Sequence, residues 1–290
     1  MNVQQLCDPE TIRELLGKNG FRFSKSMGQN FLIDPSVPLR IAEEAGIAAH
    51  TGVLEVGPGI GCLTSCLAPW AGKVVCVELD EALRPILAET LSEYGNVEVV
   101  YGDVLKTDLP GLAEEKFPGL RPVVCANLPY NITSPVITAF LEAGCFETVT
   151  VMVQKEVARR MAARPGTADY SAFSVLVQWY AKAQLLFDVP SHCFMPAPKV
   201  TSSVIRLEKQ SSPPAEVLDE ALFFRTVRAA FGQRRKTLAN ALAAGFGELT
   251  KEQIAAAIDS CGFDARIRGE ALSIPDFAGL TDMLAKFKEM

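Results

Sequence analysis

Short apolar runs of four to seven residues, rich in valine and closed by Gly, Pro, Asn or Asp, recur through the first two thirds of the chain, at residues 52–56, 73–79, 97–101, 123–126 and 148–153. Between them apolar positions fall at helical spacing, as in Ala82, Leu83, Ile86, Leu87 and Leu91, or Val136, Ile137, Phe140 and Leu141. Strand and helix in alternation predict an α/β fold with a parallel sheet covered on both faces. Two further strand candidates, 184–189 and 200–207, follow each other without a helix between them, which predicts an antiparallel pair closing one edge of the sheet. After the polar, Pro-rich stretch QSSPPAE at 210–216 the strand signals stop. Phe224, Val227 and Phe231, and then Phe277, Leu280, Leu284 and Phe287, carry helical spacing. The pattern therefore predicts an α/β domain over residues 1–209 with an N-terminal helical extension, a linker at 210–216, and a small all-helical domain over 217–290.

Composition adds exclusions. The chain has 290 residues, 49% hydrophobic and 21% charged, which rules out wholesale disorder. Its longest unbroken apolar run is the five residues 254–258, too short for a membrane-crossing helix or a signal-peptide core, so a cytoplasmic protein is expected. Eight cysteines are too few for a disulfide scaffold, and Cys76, Cys125 and Cys145 sit among aliphatic residues as small hydrophobes do. Cys62 and Cys66, and the lone histidines His50 and His192, have no companions at metal-ligand spacing, so no metal is expected. A net charge of −6 argues at first against a nucleic-acid partner. Residues 1–150, however, hold 10 basic against 19 acidic side chains, whereas residues 151–290 hold 18 against 15. A polyanion responds to local charge. The basic clusters at Lys155, Arg159 and Arg160, at Arg225 and Arg228, and at Arg234, Arg235 and Lys236 are thus candidate phosphate contacts.

The segment Val53-Leu54-Glu55-Val56-Gly57-Pro58-Gly59-Ile60-Gly61 runs a strand into a glycine turn ahead of a helix. There backbone N–H groups can face a ligand, and Gly57 and Gly59 leave room for its approach. Glu78 ends the next strand 21 positions after Gly57, where a carboxylate can accept both hydroxyls of a ribose. A dinucleotide-dependent oxidoreductase shares these features. Its G-x-G-x-x-G fingerprint, however, wants glycine at 62, which is Cys62 here. The E-x-G-x-G form favours an S-adenosylmethionine-dependent methyltransferase. Asp103, at the end of the third strand, is placed to accept the exocyclic amine of the cofactor's adenine.

The tetrapeptide Asn127-Leu128-Pro129-Tyr130 follows a buried strand, at the carboxyl edge where open α/β sheets bind ligands. An adenine N6 amine is a poor nucleophile because its lone pair is delocalised into the ring. Accepting hydrogen bonds from its N–H groups, at the Asn127 side-chain oxygen and the Leu128 carbonyl, lets the nitrogen pyramidalise and aims the lone pair. Pro129 fixes the turn and Tyr130 offers a ring for the flipped base. Catalysis of this kind is mainly positioning.

Gly28-Gln29-Asn30-Phe31-Leu32, Glu55 to Gly61, Glu78, Asp103, Asn127 to Tyr130, Phe194-Met195-Pro196-Ala197-Pro198-Lys199-Val200 and Phe231-Gly232-Gln233-Arg234-Arg235-Lys236-Thr237-Leu238 together resemble the ribosomal RNA adenine dimethyltransferase family. The likeness runs from about Phe23 to the C-terminal helices. Its last segment is more similar to the bacterial small-subunit (16S) rRNA enzymes than to the erythromycin-resistance methylases of large-subunit rRNA, which remain the alternative. The resemblance implies a Rossmann-like methyltransferase sheet, S-adenosylmethionine as cofactor, and two methyls on each of two adjacent adenosines in a hairpin near the 3′ end of 16S rRNA. It also implies an immature 30S subunit as partner, an assembly-factor role beside catalysis, and a monomer. Cofactor contacts are implied at Asn30, Leu32, the Gly57 main chain, Glu78, Asp103 and Asn127, and Phe194 is implied to stack on the target base opposite Tyr130.

Overall fold

A computed structural model describes residues 1–21 and 29–289; Gly28 of the first motif, and the Phe23 where the family likeness begins, lie outside the described residues. Among the described residues nine strands are formed: β1 (Phe31–Leu32), β2 (Thr51–Val56), β3 (Lys73–Glu78), β4 (Val97–Tyr101), β5 (Arg121–Asn127), β6 (Thr148–Gln154), β7 (Ala181–Val189), β8 (Phe194–Met195) and β9 (Ser202–Lys209). The chain folds into two compact units, one of Met1–Ala158 with Lys182–Lys209 and one of Arg159–Ala181 with Gln210–Met290.

In the first unit seven strands form one sheet in the order β4-β3-β2-β5-β6-β9-β7. From β4 to β6 each neighbouring pair is parallel, with helices after each strand, such as Cys62–Leu67 after β2 and Thr133–Ala143 after β5. All six residues of β2 are buried, which is why the sequence reads as a continuous apolar run and not as an alternation. The two late strands do close one edge of the sheet. The strand that runs antiparallel to β6 is the inner of the two, β9, and β7 is outermost. From β2 the chain winds to β3 and β4 on one side and returns to β5 on the other. The loops after β2 and β5 therefore meet at the point where strand order reverses, the ligand-binding crevice of open α/β sheets.

The N-terminal helices Val3–Leu6 and Pro9–Lys18 bury Leu6, Ile12, Leu15 and Leu16 in the same core as Val53, Val74, Cys76 and Val123. Each such side chain contributes about 2 kcal/mol of apolar burial. Asp8 starts the second of these helices by accepting the Thr11 N–H at 2.8 Å, with Pro9 in the first turn. A short ribbon pairs β1 with β8, setting Leu32 opposite Phe194.

The second unit packs the helices Ala172–Tyr180, Glu220–Gly232, Leu238–Gly245, Lys251–Ser260 and Ile274–Glu289. Val227, Phe277, Leu280 and Leu284 are buried, while Phe224, Phe231 and Phe287 pack at the margin. Residues 159–181 differ from the sequence expectation, which placed them in the α/β domain: they belong to this unit. The cause is aromatic burial. Trp179 stacks on Phe223 with ring centroids 4.3 Å apart, and Tyr170 meets Phe231 edge-on at 5.6 Å. Among the described residues no helix is long and apolar enough to cross a membrane.

Candidate active site

The loop leaving β2 turns on three left-handed glycines, with φ of 67° at Gly57, 61° at Gly59 and 89° at Gly61. L-residues with a side chain rarely adopt such angles. Space is short as well: a Cβ at Gly59 would lie 3.1 Å from the Phe31 ring, and one at Gly61 only 2.7 Å from Leu91. On the far side of the switch point, the Leu128 N–H donates to the Met152 carbonyl at 3.1 Å, clamping the tetrapeptide turn to β6. Pro129 comes within van der Waals reach of Gly57, 3.7 Å from where its Cβ would stand. The Tyr130 hydroxyl and Ser202 Oγ are 2.7 Å apart.

One cleft lies between these loops. It is lined by Asn30 and Leu32, by Gly57 and Gly59, by Glu78 and Asp103, by Asn127, Leu128, Pro129 and Tyr130, and by Phe194. Asn30 and Phe194, 164 positions apart in sequence, thus share one surface. Glu78, 6% exposed, accepts the Asp80 N–H at 2.8 Å, and burial raises its carboxyl above the ordinary range. Asp103 accepts the Leu105 N–H at 3.0 Å, which fixes its carboxylate at the strand end. Asn127 reaches the cleft with no side-chain hydrogen-bond partner among the described residues. Phe194 lines the cleft yet is only 3% exposed, so a base meeting its ring must enter the cleft and not rest on the outer surface.

Glu55 also lines this cleft, and sequence reasoning gave it no role of its own. It is 1% exposed, and burial pushes its carboxyl up to about 7 against hydrogen bonds from Thr64, at 2.7 Å, and Cys76, at 3.6 Å. An acid inside a wholly buried strand was the available signal. Leu83, Val104 and Asn131 are among the other lining residues; no local pattern marks them. A nucleoside with an amino-acid tail fits this donor set: a buried carboxylate for hydroxyls, a strand-end carboxylate for an amine, and a glycine cradle that a Cβ would fill.

The basic candidates divide. Lys155 is ion-paired with Asp188. Arg225 makes a two-pronged pair with Glu248, at 2.6 and 2.9 Å, donates to the Gly245 carbonyl and covers the Phe246 ring. Arg234 donates to the carbonyls of Ala168, at 2.8 Å, and Tyr170, at 3.2 Å, and pairs with Glu270. These three are engaged in contacts within the fold, which their positions in a charge run did not reveal. Arg159, Arg228, Arg235 and Lys236 are exposed and have no ion-pair partner among the described residues; Arg160 is half-buried. Among the described residues no group of three or more His, Cys, Asp or Glu could hold a metal ion.

Comparison with known proteins agrees with this geometry. The chain is 48% identical over 285 residues to ribosomal RNA small subunit methyltransferase A of Geobacillus thermodenitrificans, covering 97% of each chain. It is 46% identical over 289 residues to the protein of that name from Listeria monocytogenes, covering 98% of each. Among solved structures, a dimethyladenosine transferase from Plasmodium falciparum superposes with a TM-score of 0.71 at 27% identity, over 86% of this chain and 95% of that one. The 23S rRNA methyltransferase ErmE superposes with a TM-score of 0.66 at 29% identity, over 88% and 99%. The model of the ribosomal RNA adenine dimethylase family matches residues 20–284, nearly the whole of both units. By that match and by its relatives, the chain belongs to the ribosomal RNA adenine dimethylase family.

Proposed function

We propose that the protein is an S-adenosylmethionine-dependent methyltransferase that dimethylates the N6 amines of two adjacent adenosines in a hairpin near the 3′ end of 16S rRNA, within the immature 30S subunit. One observation carries the reading: Asn127-Leu128-Pro129-Tyr130 and the glycine loop line a single cleft, beside buried Glu78. The near-full-length relatives named for the small subunit favour that substrate over the large-subunit alternative.

The cofactor supplies a sulfonium-activated methyl group. Glu78 would hold its ribose, Asp103 its adenine, and the Asn30, Leu32 and Gly57 segments its remaining contacts. The Asn127 oxygen and the Leu128 carbonyl accept hydrogen bonds from the target amine and turn its lone pair toward the methyl. The bound cofactor would supply the methyl, and the methylated nitrogen would then give up its proton to water. Tyr130 and Phe194 hold the flipped base, so these residues act by orientation. Exposed Arg159, Arg228, Arg235 and Lys236 contact RNA phosphates, and subunit binding in its own right supports an assembly role. The protein acts as a monomer in the cytoplasm.

Replacing Asn127 with Ala tests the reading. Methyl transfer from labelled cofactor to immature 30S particles is expected to fall by about 10³-fold or more, with particle binding kept. Transfer at the wild-type rate overturns it.

A further inference from the structure

Cys7 closes the first helix as its C-cap, and Cys62 opens the helix after the glycine loop. Their Sγ atoms lie 3.0 Å apart across 55 residues of chain, sharing a hydrogen bond. Both residues are buried, at 2% and 6% exposure, yet Cys62 lines the cofactor cleft and Cys7 does not. An S–S bond is about 2.05 Å long, so about 1 Å of travel would close it. We propose that Cys7 and Cys62 form a disulfide that ties the N-terminal helix to the wall of the cofactor cleft.

The oxidant is a small-molecule disulfide that reaches Cys62 through the cleft. The Cys62 thiolate attacks one sulfur of the reagent; a bond forms between them, the reagent's S–S bond breaks, and its other half departs as a thiolate. Cys7 then displaces the first half from Cys62. The two protein thiols lose two electrons and two protons, and the oxidant becomes two small thiols.

Neighbouring thiols compete poorly. Among the described residues Cys7 and Cys62 are the pair whose Sγ atoms meet, whereas Cys76 Sγ lies against Glu55 and Thr64, at 3.6 and 3.8 Å. The Cys7 hydrogen bond, followed by burial, holds Cys62 itself well above the ordinary thiol range. Oxidation is therefore slow, and slower still when the cleft is filled. Closing a loop of this length constrains the unfolded chain and stabilises the oxidised form.

The full-length protein is equilibrated in glutathione with excess glutathione disulfide, quenched with N-ethylmaleimide and mapped by peptide mass. A Cys7–Cys62 crosslinked peptide is expected, lost in Cys7→Ala and kept in Cys66→Ala. The oxidised form should melt about 5–10 °C higher. Complete alkylation of both residues, or linkage of either to another cysteine, overturns the pairing. Only the route of access rests on the methyltransferase reading. S-adenosylhomocysteine, its binding checked by calorimetry, should slow crosslinking about tenfold or more. If it binds and the rate is unchanged, the route through the cleft is overturned. If it does not bind, the cofactor reading fails while the mapped bond stands.

Discussion

The Tyr130 hydroxyl sits 2.7 Å from the Oγ of Ser202, a wholly buried residue at the start of β9. A strand that supplies none of the predicted site residues thus holds the ring of the Asn127–Tyr130 turn. Ser202→Ala leaves the half-buried phenol without its partner, at a cost of about 1 kcal/mol in stability. We expect kcat for methyl transfer to fall several-fold with little change in the affinity for subunits. Steady-state kinetics at saturating cofactor check this, and an unchanged kcat would show that Tyr130 needs no anchor.

Buried Glu55 makes stability depend on pH. Its carboxyl is raised from 4.5 to about 7 by burial. Below the lower value it is protonated in folded and unfolded chain alike and costs nothing. As pH climbs from there to about 7 the unfolded chain ionises first, so the native state loses stability, with the full penalty of about 3 kcal/mol reached above 7. Glu55→Gln keeps an acceptor for Thr64 and removes the charge. It should stabilise the protein by about 2–3 kcal/mol at pH 8 and leave it unchanged at pH 4, read from urea denaturation without cofactor.

Gly61 combines a φ of 89° with a site where a Cβ would stand 2.7 Å from buried Leu91. Gly61→Ala is expected to cost about 2–4 kcal/mol from backbone strain and overpacking together. Calorimetry should show weakened cofactor binding in the same variant, because the strained turn is the cleft wall.

Arg234 and Arg235 are adjacent in sequence and differ in role. Arg234→Ala removes the donor to the Ala168 and Tyr170 carbonyls and should lower stability by about 1 kcal/mol or more. Arg235→Ala should leave thermal unfolding unmoved. Its subunit binding is expected to weaken, with the slope of log affinity against log salt reduced by about one. Filter binding over a salt series distinguishes the two.

The sequence by itself determined what is local. A strand buried on both faces shows as a valine run, a left-handed turn requires glycines, and the tetrapeptide's place after β5 follows from that strand's own pattern. Motif spacing therefore brought Gly57, Glu78, Asp103 and Asn127 into view before any geometry was known. Tertiary structure decided whatever depends on contact between distant residues. Trp179 and Tyr170 carry residues 159–181 into the helical unit because their rings pack on Phe223 and Phe231. Phe194 is closed in by pairing with β1, and Ser202 reaches Tyr130 across the fold. A run of cations shows only its charge in sequence. Whether a guanidinium faces solvent, as Arg235 does, or is spent on backbone carbonyls, as Arg234 is, is settled by which chain segment the fold brings beside it.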